Sequence, residues 1–321
     1  MRRLHLGVLA SVVPALLASL VLVGCGSNQE KGTGDTSKPT DAGKRGSGSS
    51  GTMKAVEPGT GTLKGKVTLQ GAKPDMKAAT QELLALINKA DDKATCLMSP
   101  EDQRTEQEWR IGDNNGVGNV FVWIAPLPNE FFKIDEKQLA AVPKEVPIEQ
   151  PFCAFVPHCF ILFPQYRDPK SPKSKFKETG QKFVVKNDAK ISHNTKFQAG
   201  AKNPEFNETL KPMSHKDVPL LEPTNEEITV RCGIHLWMSA YGRAFDHPYA
   251  TLTVVGGDPK AGKVDPKDPK YGTYELKNLP AGKVRVIAWH PKAGYLNGAK
   301  GEEIELKAGD NPPKDFSITA K

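Results

Sequence analysis

Alternating apolar and polar residues predict strands near both ends of the chain. Residues 61–69 alternate in this way, and residues 119–124 are β-branched and aromatic, as in the core of a sheet. Residues 76–90 differ, because their leucines and isoleucine fall on one helical face. The pattern therefore predicts a mainly β protein with one prominent helix. Further strands are predicted at residues 271–276, 284–290, 304–306 and 316–318.

The middle of the chain combines short predicted strands with polar loops. Residues 164–177 and 199–221 each contain three prolines and are predicted to be loops. Residues 256–270, rich in Gly, Pro, Asp and Lys, predict a hairpin-like insertion. Strands are predicted at residues 152–163, 182–186, 227–232, 241–245 and 249–255.

The N-terminal segment is predicted to lie outside the folded part. Two arginines precede an apolar run at residues 4–23, which is typical of a secretory signal. A short transmembrane anchor, interrupted by Pro14, is the alternative. The residues that end at Cys25 resemble the lipobox of bacterial lipoproteins, in which the cysteine becomes the lipidated first residue. We therefore assign residues 1–24 to a signal peptide and residues 25–58 to a disordered tether.

The charge of the chain argues against a nucleic-acid-binding function. The formal net charge is +7 over 321 residues, and removing the two arginines of the signal leaves +5 (+7 minus 2). The lysines are scattered, whereas a nucleic-acid-binding surface needs them clustered. The predicted export from the cytoplasm also argues against nucleic-acid binding. A mild attraction to an acidic partner protein is compatible with this charge.

The most informative motif is Cys232-Gly-Ile-His235-Leu-Trp-Met238, which follows a predicted strand. A thiolate, an imidazole and a thioether are ligands of mononuclear copper electron-transfer sites, which take one Cys, two His and a weak axial Met. The second histidine is expected from an earlier loop, and His193 lies 39 positions (232 minus 193) before the cysteine. The sequence therefore predicts one copper ion at His193, Cys232, His235 and Met238.

Two other interpretations of this motif stay open. A disulfide-bonded Cys232 and a core Met238 explain it without any metal. Alternatively, Cys232 and His235 together with Cys153 and His158 are donors of the type found in structural zinc sites. The remaining histidines are expected to be structural or solvated: His215, His247 and His290.

These residues resemble those of the cupredoxins. That family carries a first histidine, usually followed by Asn as in His193-Asn194, and then a distal Cys-His-Met loop. The spacing Cys-x2-His-x2-Met is similar to the tight loop of amicyanin-like members. The resemblance implies a type 1 copper site in which Asn194 hydrogen-bonds across the site and holds the cysteine loop. Either Leu236 or Trp237 is expected to form an apolar patch around a partly exposed His235, through which electrons leave.

A wider stretch, residues 153–253, resembles secreted bacterial proteins of the methylamine-utilisation-like type. Those proteins join a cupredoxin-like domain to a transthyretin/carboxypeptidase-regulatory-like β-sandwich. The resemblance implies a cupredoxin-like Greek-key sandwich at residues 146–256, inserted between two parts of the second sandwich at residues 59–145 and 257–321. Two complete sandwiches in tandem are the alternative.

The same resemblance implies how the cysteines pair. The related proteins carry an early cysteine and a Cys-x-Phe-x-Pro-His stretch, which here correspond to Cys96 and to the segment beginning at Cys153. A Cys96–Cys153 disulfide is therefore expected, as suits an oxidising compartment. Cys159 is then a buried thiol among apolar residues.

Together these expectations favour an extracytoplasmic, lipid-anchored copper protein that transfers electrons to a partner such as a c-type cytochrome. The alternative is a structural or interaction β-sandwich lipoprotein without a functional metal. An enzyme is not expected, because copper oxidases and nitrite reductases need further copper sites with His-x-His pairs, and the sequence has none.

Overall fold

The computed structural model describes residues 52–320. The predicted signal peptide at residues 1–24, the lipidation site Cys25 and most of the predicted tether therefore lie outside the described residues. Within residues 52–320, no helix is both long enough and apolar enough to span a membrane.

The first third of the described chain contains the helices and four strands. A 3₁₀ helix lies at Glu101–Arg104. The other elements are β1 (Lys54–Val56), β2 (Gly61–Gln70), α1 (Met76–Lys89), α2 (Lys93–Leu97), β3 (Phe121–Ala125), β4 (Glu130–Phe132) and α3 (Glu136–Ala140).

The middle third consists of strands. They are β5 (Glu145–Glu149), β6 (Cys159–Leu162), β7 (Gln165–Arg167), β8 (Phe176–Glu178), β9 (Lys182–Asn187), β10 (His193–Gln198), β11 (Phe206–Leu210), β12 (Ser214–Asp217), β13 (Ile228–Arg231) and β14 (Ser239–Ala244).

The last third is also β-rich, with a short 3₁₀ helix at Pro259–Ala261. Its strands are β15 (Ala250–Leu252), β16 (Gly257–Asp258), β17 (Lys263–Val264), β18 (Thr273–Leu279), β19 (Gly282–His290), β20 (Gly294–Tyr295), β21 (Glu302–Leu306), β22 (Gly309–Asp310) and β23 (Phe316–Thr319).

Strands from the two ends of the described chain pair with each other to form lobe 1. One sheet has the order β15-β3-β19-β20, with β21 beside β19, and the other has the order β18-β2-β22, with β23 beside β2. The inward-facing residues of both sheets make one apolar cluster that includes Val67, Val122 and Val286. Strand β15 pairs with β3, so residues 250–252 belong to lobe 1 although they fall within the predicted segment 146–256.

The strands between these two ends form lobe 2. It contains a five-stranded sheet of order β11-β10-β13-β14-β6 and a three-stranded sheet of order β12-β9-β5. Phe160, Phe183 and Phe197 pack between the sheets. The predicted mainly β fold is confirmed, and each lobe has the two layers of a β-sandwich.

A third cluster of buried side chains joins the two lobes. Aromatic residues of β3 and β19 pack against Tyr241 in β14 and against Phe245, the residue that follows this strand. The Arg243 guanidinium lies 4.3 Å from the centroid of the Trp289 ring, in cation–π contact. Cys159 is part of this cluster, is buried and forms no disulfide within residues 52–320, as the pairing implied by the resemblance predicts. Burial raises the pKa of this thiol far above its ordinary value.

Helix α1 packs on lobe 2 although it follows a strand of lobe 1. Its N-terminus is capped by Asp75, whose Oδ1 accepts a hydrogen bond from Ala78 N at 2.9 Å. Ile87 is buried in the core cluster of lobe 2, and Leu83 and Leu84 pack against that cluster. The apolar face that predicts the helix therefore also holds the segment after it, including α2, against lobe 2.

Three loop or strand predictions differ from the structure. Residues 164–177, predicted to be a loop, contain β7 and the first two residues of β8, which pair with each other. The segment at residues 199–221 contains strands β11 and β12, because pairing with β10 and stacking of Phe206 on Phe197 override its weak local pattern. Conversely, only Cys159–Leu162 of the predicted strand at residues 152–163 forms a strand. The preceding residues make a bend with a single bridge between Glu149 and Val156.

Candidate metal centre

His193 is delivered to one end of lobe 2 by the turn between β9 and β10. It is the first residue of β10 and is completely buried. Asn187, the last residue of β9, fixes this turn: its Nδ2 donates to Ile191 O at 2.8 Å and its Oδ1 accepts from Ala189 N at 3.0 Å. An Asx-type arrangement of this kind holds a turn as a backbone hydrogen bond would.

The loop between β13 and β14 carries the other predicted ligands at the same end of the sheet. Cys232 N donates to Met238 O at 3.3 Å, so the loop closes immediately after the strand pair. Met238 N donates to His235 O at 2.9 Å, and His235 N donates to Cys232 Sγ at 3.3 Å. The loop is thus organised by its own hydrogen bonds around the cysteine sulfur.

Three predicted ligands converge in this region. The Nδ1 atoms of His193 and His235 are 3.1 Å apart, and His235 Nδ1 is 4.0 Å from Cys232 Sγ. One donor atom from each of the three residues lies within 4.8 Å of the others, and all three residues are buried. We call this set the donor cluster. Among residues 52–320 Cys232 forms no disulfide, which contradicts the interpretation in which it is disulfide-bonded.

The donor cluster has dimensions that fit one metal ion. Two imidazole nitrogens each about 2.0 Å from a shared ion lie about 3.3 Å apart at a tetrahedral angle, close to the observed separation. A thiolate about 2.3 Å from the same ion would lie about 3.6 Å from either nitrogen. The observed distance between Cys232 Sγ and His235 Nδ1 is 4.0 Å, so the sulfur would have to move only slightly toward the nitrogen for both to contact one ion. One thiolate with two imidazoles suits copper or zinc better than magnesium or calcium, which prefer oxygen ligands.

The electrostatics keep both imidazoles neutral near physiological pH. Burial, together with repulsion from His235, lowers the pKa of His193 to about 4. Burial also lowers the pKa of His235, and the carboxylate of Asp92 opposes that shift. A neutral imidazole offers a lone pair on one nitrogen, which is the form that binds a metal.

Asn194 connects the two segments of the site. Its Oδ1 accepts a hydrogen bond from Gly233 N at 2.9 Å, and its Nδ2 donates to Asn207 Oδ1 at 2.9 Å and to Glu208 O at 3.2 Å. The side chain therefore ties the cysteine loop to β10 and β11 at once. This is the hydrogen bond that the family resemblance implies for Asn194.

Met238 is buried beside the donor cluster. It is 2% exposed and belongs to the same apolar cluster as Cys232. Its backbone bonds to both Cys232 and His235, as described above. The structure thus brings the methionine backbone to the site, and its role as an axial ligand remains a prediction.

The expectation of a partly exposed His235 is wrong. The residue is only 1% exposed, because the segment before α2 covers its ring and Asp92 Oδ2 lies 3.3 Å from its Nε2. The exposed apolar residues of the loop are its neighbours Leu236, 79% exposed, and Ile234, 46% exposed. Trp237 points inward instead: its Nε1 donates to Cys153 O at 3.1 Å, and its ring centroid lies 5.2 Å from that of His235.

A disulfide between Cys96 and Cys153 lies next to the donor cluster. It joins α2 to the segment before β6, and this is the pairing that the resemblance implies. Both sulfurs lie within 4.8 Å of a ring nitrogen of His235. Because Cys153 is disulfide-bonded and His158 Nδ1 is bonded to Ser239 O at 2.9 Å, these residues do not form the alternative zinc site.

The other histidines divide into buried and solvent-exposed residues. His158, His247 and His290 are buried, and burial lowers their pKa values to about 3, 4 and 3. His290 Nδ1 accepts hydrogen bonds from the backbone of residues 292 and 293, and its ring stacks on Trp109. His215 is exposed on β12. None of the four belongs to a metal-binding group among residues 52–320.

Sequence reasoning missed Asp92. The residue follows the predicted helix at residues 76–90 and belongs to none of the motifs identified in the sequence. A usable signal was the Cys96–Cys153 pairing implied by the resemblance, because it brings the residues just before Cys96 close to the cysteine–histidine loop.

Comparisons with known proteins give weak structural similarities only. No protein-family model matches this chain, and no curated protein matches it. Among solved structures, the copper-containing nitrite reductase from Thermus scotoductus SA-01 aligns at a TM-score of 0.25 and 13% identity, over 32% of this chain and 23% of that one. This chain therefore spans less than a quarter of the nitrite reductase.

Two smaller proteins align over a similar share of this chain. A reduced amicyanin variant aligns at a TM-score of 0.24 and 12% identity, over 33% of this chain and 88% of that one. A purple cupredoxin from Nitrosopumilus maritimus aligns at a TM-score of 0.22 and 12% identity, over 31% of this chain and 97% of that one. The structural neighbours are cupredoxins, at low TM-score and over about a third of the chain.

Proposed function

We propose that this protein is an extracytoplasmic, lipid-anchored electron-transfer protein that binds one copper ion at a type 1 site. His193, Cys232 and His235 would hold the ion, with Met238 as a weak axial ligand. The observation that carries the proposal is the convergence of two buried imidazole Nδ1 atoms, 3.1 Å apart, with the buried thiol of Cys232. Copper supplies one-electron chemistry between Cu(I) and Cu(II) when bound to such donors.

The rigidity of the donor cluster supports electron transfer. His193 is fixed by the Asn187 turn, and the cysteine loop is held by its internal hydrogen bonds and by Asn194. Donors held in one geometry in both oxidation states need little rearrangement when an electron moves. The hydrogen bond from His235 N to Cys232 Sγ withdraws charge from the sulfur, which is one way that proteins tune the potential of copper sites.

The surface near the site supports a transient protein partner. Leu236 and Ile234 project from the ligand loop, and Leu86 of α1 is 49% exposed. Leu236 and Leu86 line the same shallow cleft. A few exposed apolar side chains beside the ligand loop suit a small, short-lived contact with a redox protein such as a c-type cytochrome. We therefore propose that electrons exchange near this loop and that the protein turns over no substrate of its own.

The membrane attachment belongs to the same proposal. The signal sequence and Cys25 predict a lipidated N-terminus, followed by a tether that leads to the folded lobes. The disulfide between Cys96 and Cys153 supports an oxidising, extracytoplasmic location. A Cys25→Ala variant should appear in the soluble fraction of cells in which the wild-type protein sediments with membranes.

Titration with copper tests the function. The wild-type protein should bind one equivalent and develop an intense visible thiolate-to-copper absorption band. Cys232→Ser should abolish the band, whereas Cys159→Ser, which changes another free, buried cysteine outside the donor cluster, should retain it. No band in the wild-type protein, with no gain in stability on copper addition, would reject the proposal and favour a structural lipoprotein without metal.

A further inference from the structure

Asp92 occupies a position where its side chain would ordinarily cap a helix. It is the residue before α2, and Asp is among the preferred residues at such positions because its carboxylate accepts hydrogen bonds from the first backbone N–H groups. The side chain of Asp92 makes no capping hydrogen bond. Its Oδ2 instead lies 3.3 Å from Nε2 of His235. A local role in the helix therefore does not explain where this carboxylate points.

The contact with Asp92 favours one nitrogen of His235 as the metal-binding atom. An ionised carboxylate only accepts hydrogen bonds, so with Oδ2 3.3 Å from Nε2 the neutral ring is more stable with its proton on Nε2. The lone pair is then on Nδ1, the atom that faces His193 Nδ1 at 3.1 Å and Cys232 Sγ at 4.0 Å. The ring is thus held between a carboxylate on one side and the donor cluster on the other.

The position of Asp92 is itself fixed by covalent and apolar contacts. Cys96, four residues later, is bonded to Cys153, and Leu97 packs against the core cluster of lobe 2. On the other side of Asp92, Ile87 near the end of α1 is buried in that same cluster. The segment that carries the carboxylate is therefore attached at both ends to the lobe that contains the metal centre.

We propose that Asp92 is a positioning residue for the metal centre, which holds His235 as the Nε2–H tautomer with Nδ1 directed at the ion. This rests on the proposed function, because His235 must be a ligand. A carboxylate that accepts the second N–H of a metal-bound histidine orients the ring and increases its basicity, and removal of such a partner typically lowers metal affinity about 10- to 100-fold. The negative charge also favours Cu(II) over Cu(I), so its removal should raise the reduction potential.

Three variants of the full-length protein separate these effects. Asp92→Asn keeps a hydrogen-bond acceptor and removes the charge, whereas Asp92→Ala removes both. Asp91→Asn is the matched control, since Asp91 is the exposed neighbour in the same turn. We expect the control to match the wild type, Asp92→Asn to raise the reduction potential, and Asp92→Ala to raise it as well and to weaken Cu(II) binding about 10- to 100-fold in competition with a chelator.

Nitrogen-15 NMR of the metal-free protein provides a readout that does not depend on copper. The wild type and Asp91→Asn should show His235 as the Nε2–H tautomer, and Asp92→Ala should show a mixture or the opposite tautomer at the same pH. The proposal is overturned if Asp92→Ala leaves both the tautomer and the reduction potential unchanged. A wild-type protein without the thiolate-to-copper band would overturn the proposed function. If the wild type binds copper with that band and Asp92→Ala changes neither the tautomer nor the reduction potential, the role of Asp92 alone is overturned.

Discussion

The Cys96–Cys153 disulfide should contribute several kilocalories per mole to the stability of the fold. The bond joins residues 57 positions apart and so closes a long loop in the unfolded chain. The chain-entropy relation for a loop of that length gives about 4 kcal/mol at 25 °C, and removal of native disulfides commonly costs roughly 2–5 kcal/mol. We therefore expect a Cys96→Ala/Cys153→Ala variant to lose about 4 kcal/mol of unfolding free energy.

Urea unfolding of the metal-free protein measures this loss. The variant also removes two buried sulfur atoms, since Cys96 and Cys153 are 0% and 3% exposed, and their lost packing adds to the cost. Cys159→Ala is the matched control, because that cysteine is equally buried and makes no disulfide among the described residues. The unfolding free energy that Cys159→Ala loses estimates the packing contribution of one buried sulfur atom.

The contribution of loop closure is the unfolding free energy that the double variant loses beyond twice the loss in Cys159→Ala. If the double variant loses less than about 1 kcal/mol beyond twice the control, the loop-closure reasoning fails for this protein. Such a result would also mean that the segment with α1 and α2 is held on lobe 2 mainly by its apolar contacts.

Three further predictions follow from the site and its surroundings. Asn194→Ala should lower stability by about 1–2 kcal/mol and speed the release of copper to a chelator, because the hydrogen bond that holds the cysteine loop is lost; an unchanged release rate contradicts this. Because burial lowers the pKa of His290 to about 3, the unfolded chain takes up that proton near pH 6.5 while the folded protein does not. Stability should therefore fall as the pH is lowered from about 6.5 to about 5, with a slope that approaches about 1.4 kcal/mol per pH unit for this residue. His290→Gln should reduce that slope in urea unfolding and the exposed His215→Gln should not; equal slopes refute the assignment. Leu236→Ser should leave the absorption spectrum unchanged and slow electron exchange with a c-type cytochrome in stopped-flow measurements, whereas Leu220→Ser should not; equal rates for both contradict a contact at the ligand loop.

The local sequence pattern predicted the elements that carry strong periodicity. The helix at residues 76–90 and the strand at residues 61–69 were predicted because their apolar faces repeat regularly, and they appear as α1 and β2 with similar bounds. Strand β11 was not predicted, because its stability comes from pairing with β10 and from the Phe206–Phe197 stack, which no local window contains.

In the site, too, the features encoded by a short sequence motif were predictable, and those that depend on tertiary contacts were not. The motif from Cys232 to Met238 and the separate His193 were visible in the sequence, because their donor types and spacing are specific. The burial of His235 was not, since it depends on a segment that lies more than 130 residues earlier in the chain. Asp92 reaches the site only because α1 packs on lobe 2 and the disulfide joins α2 to it, and both are tertiary contacts.

X-ray absorption spectroscopy of the copper-loaded protein tests the central claim most directly. The account predicts a copper ion with one short bond to sulfur and two bonds to imidazole nitrogen, and loss of the sulfur contribution in Cys232→Ser. A first coordination shell of nitrogen and oxygen alone in the wild-type protein would contradict it.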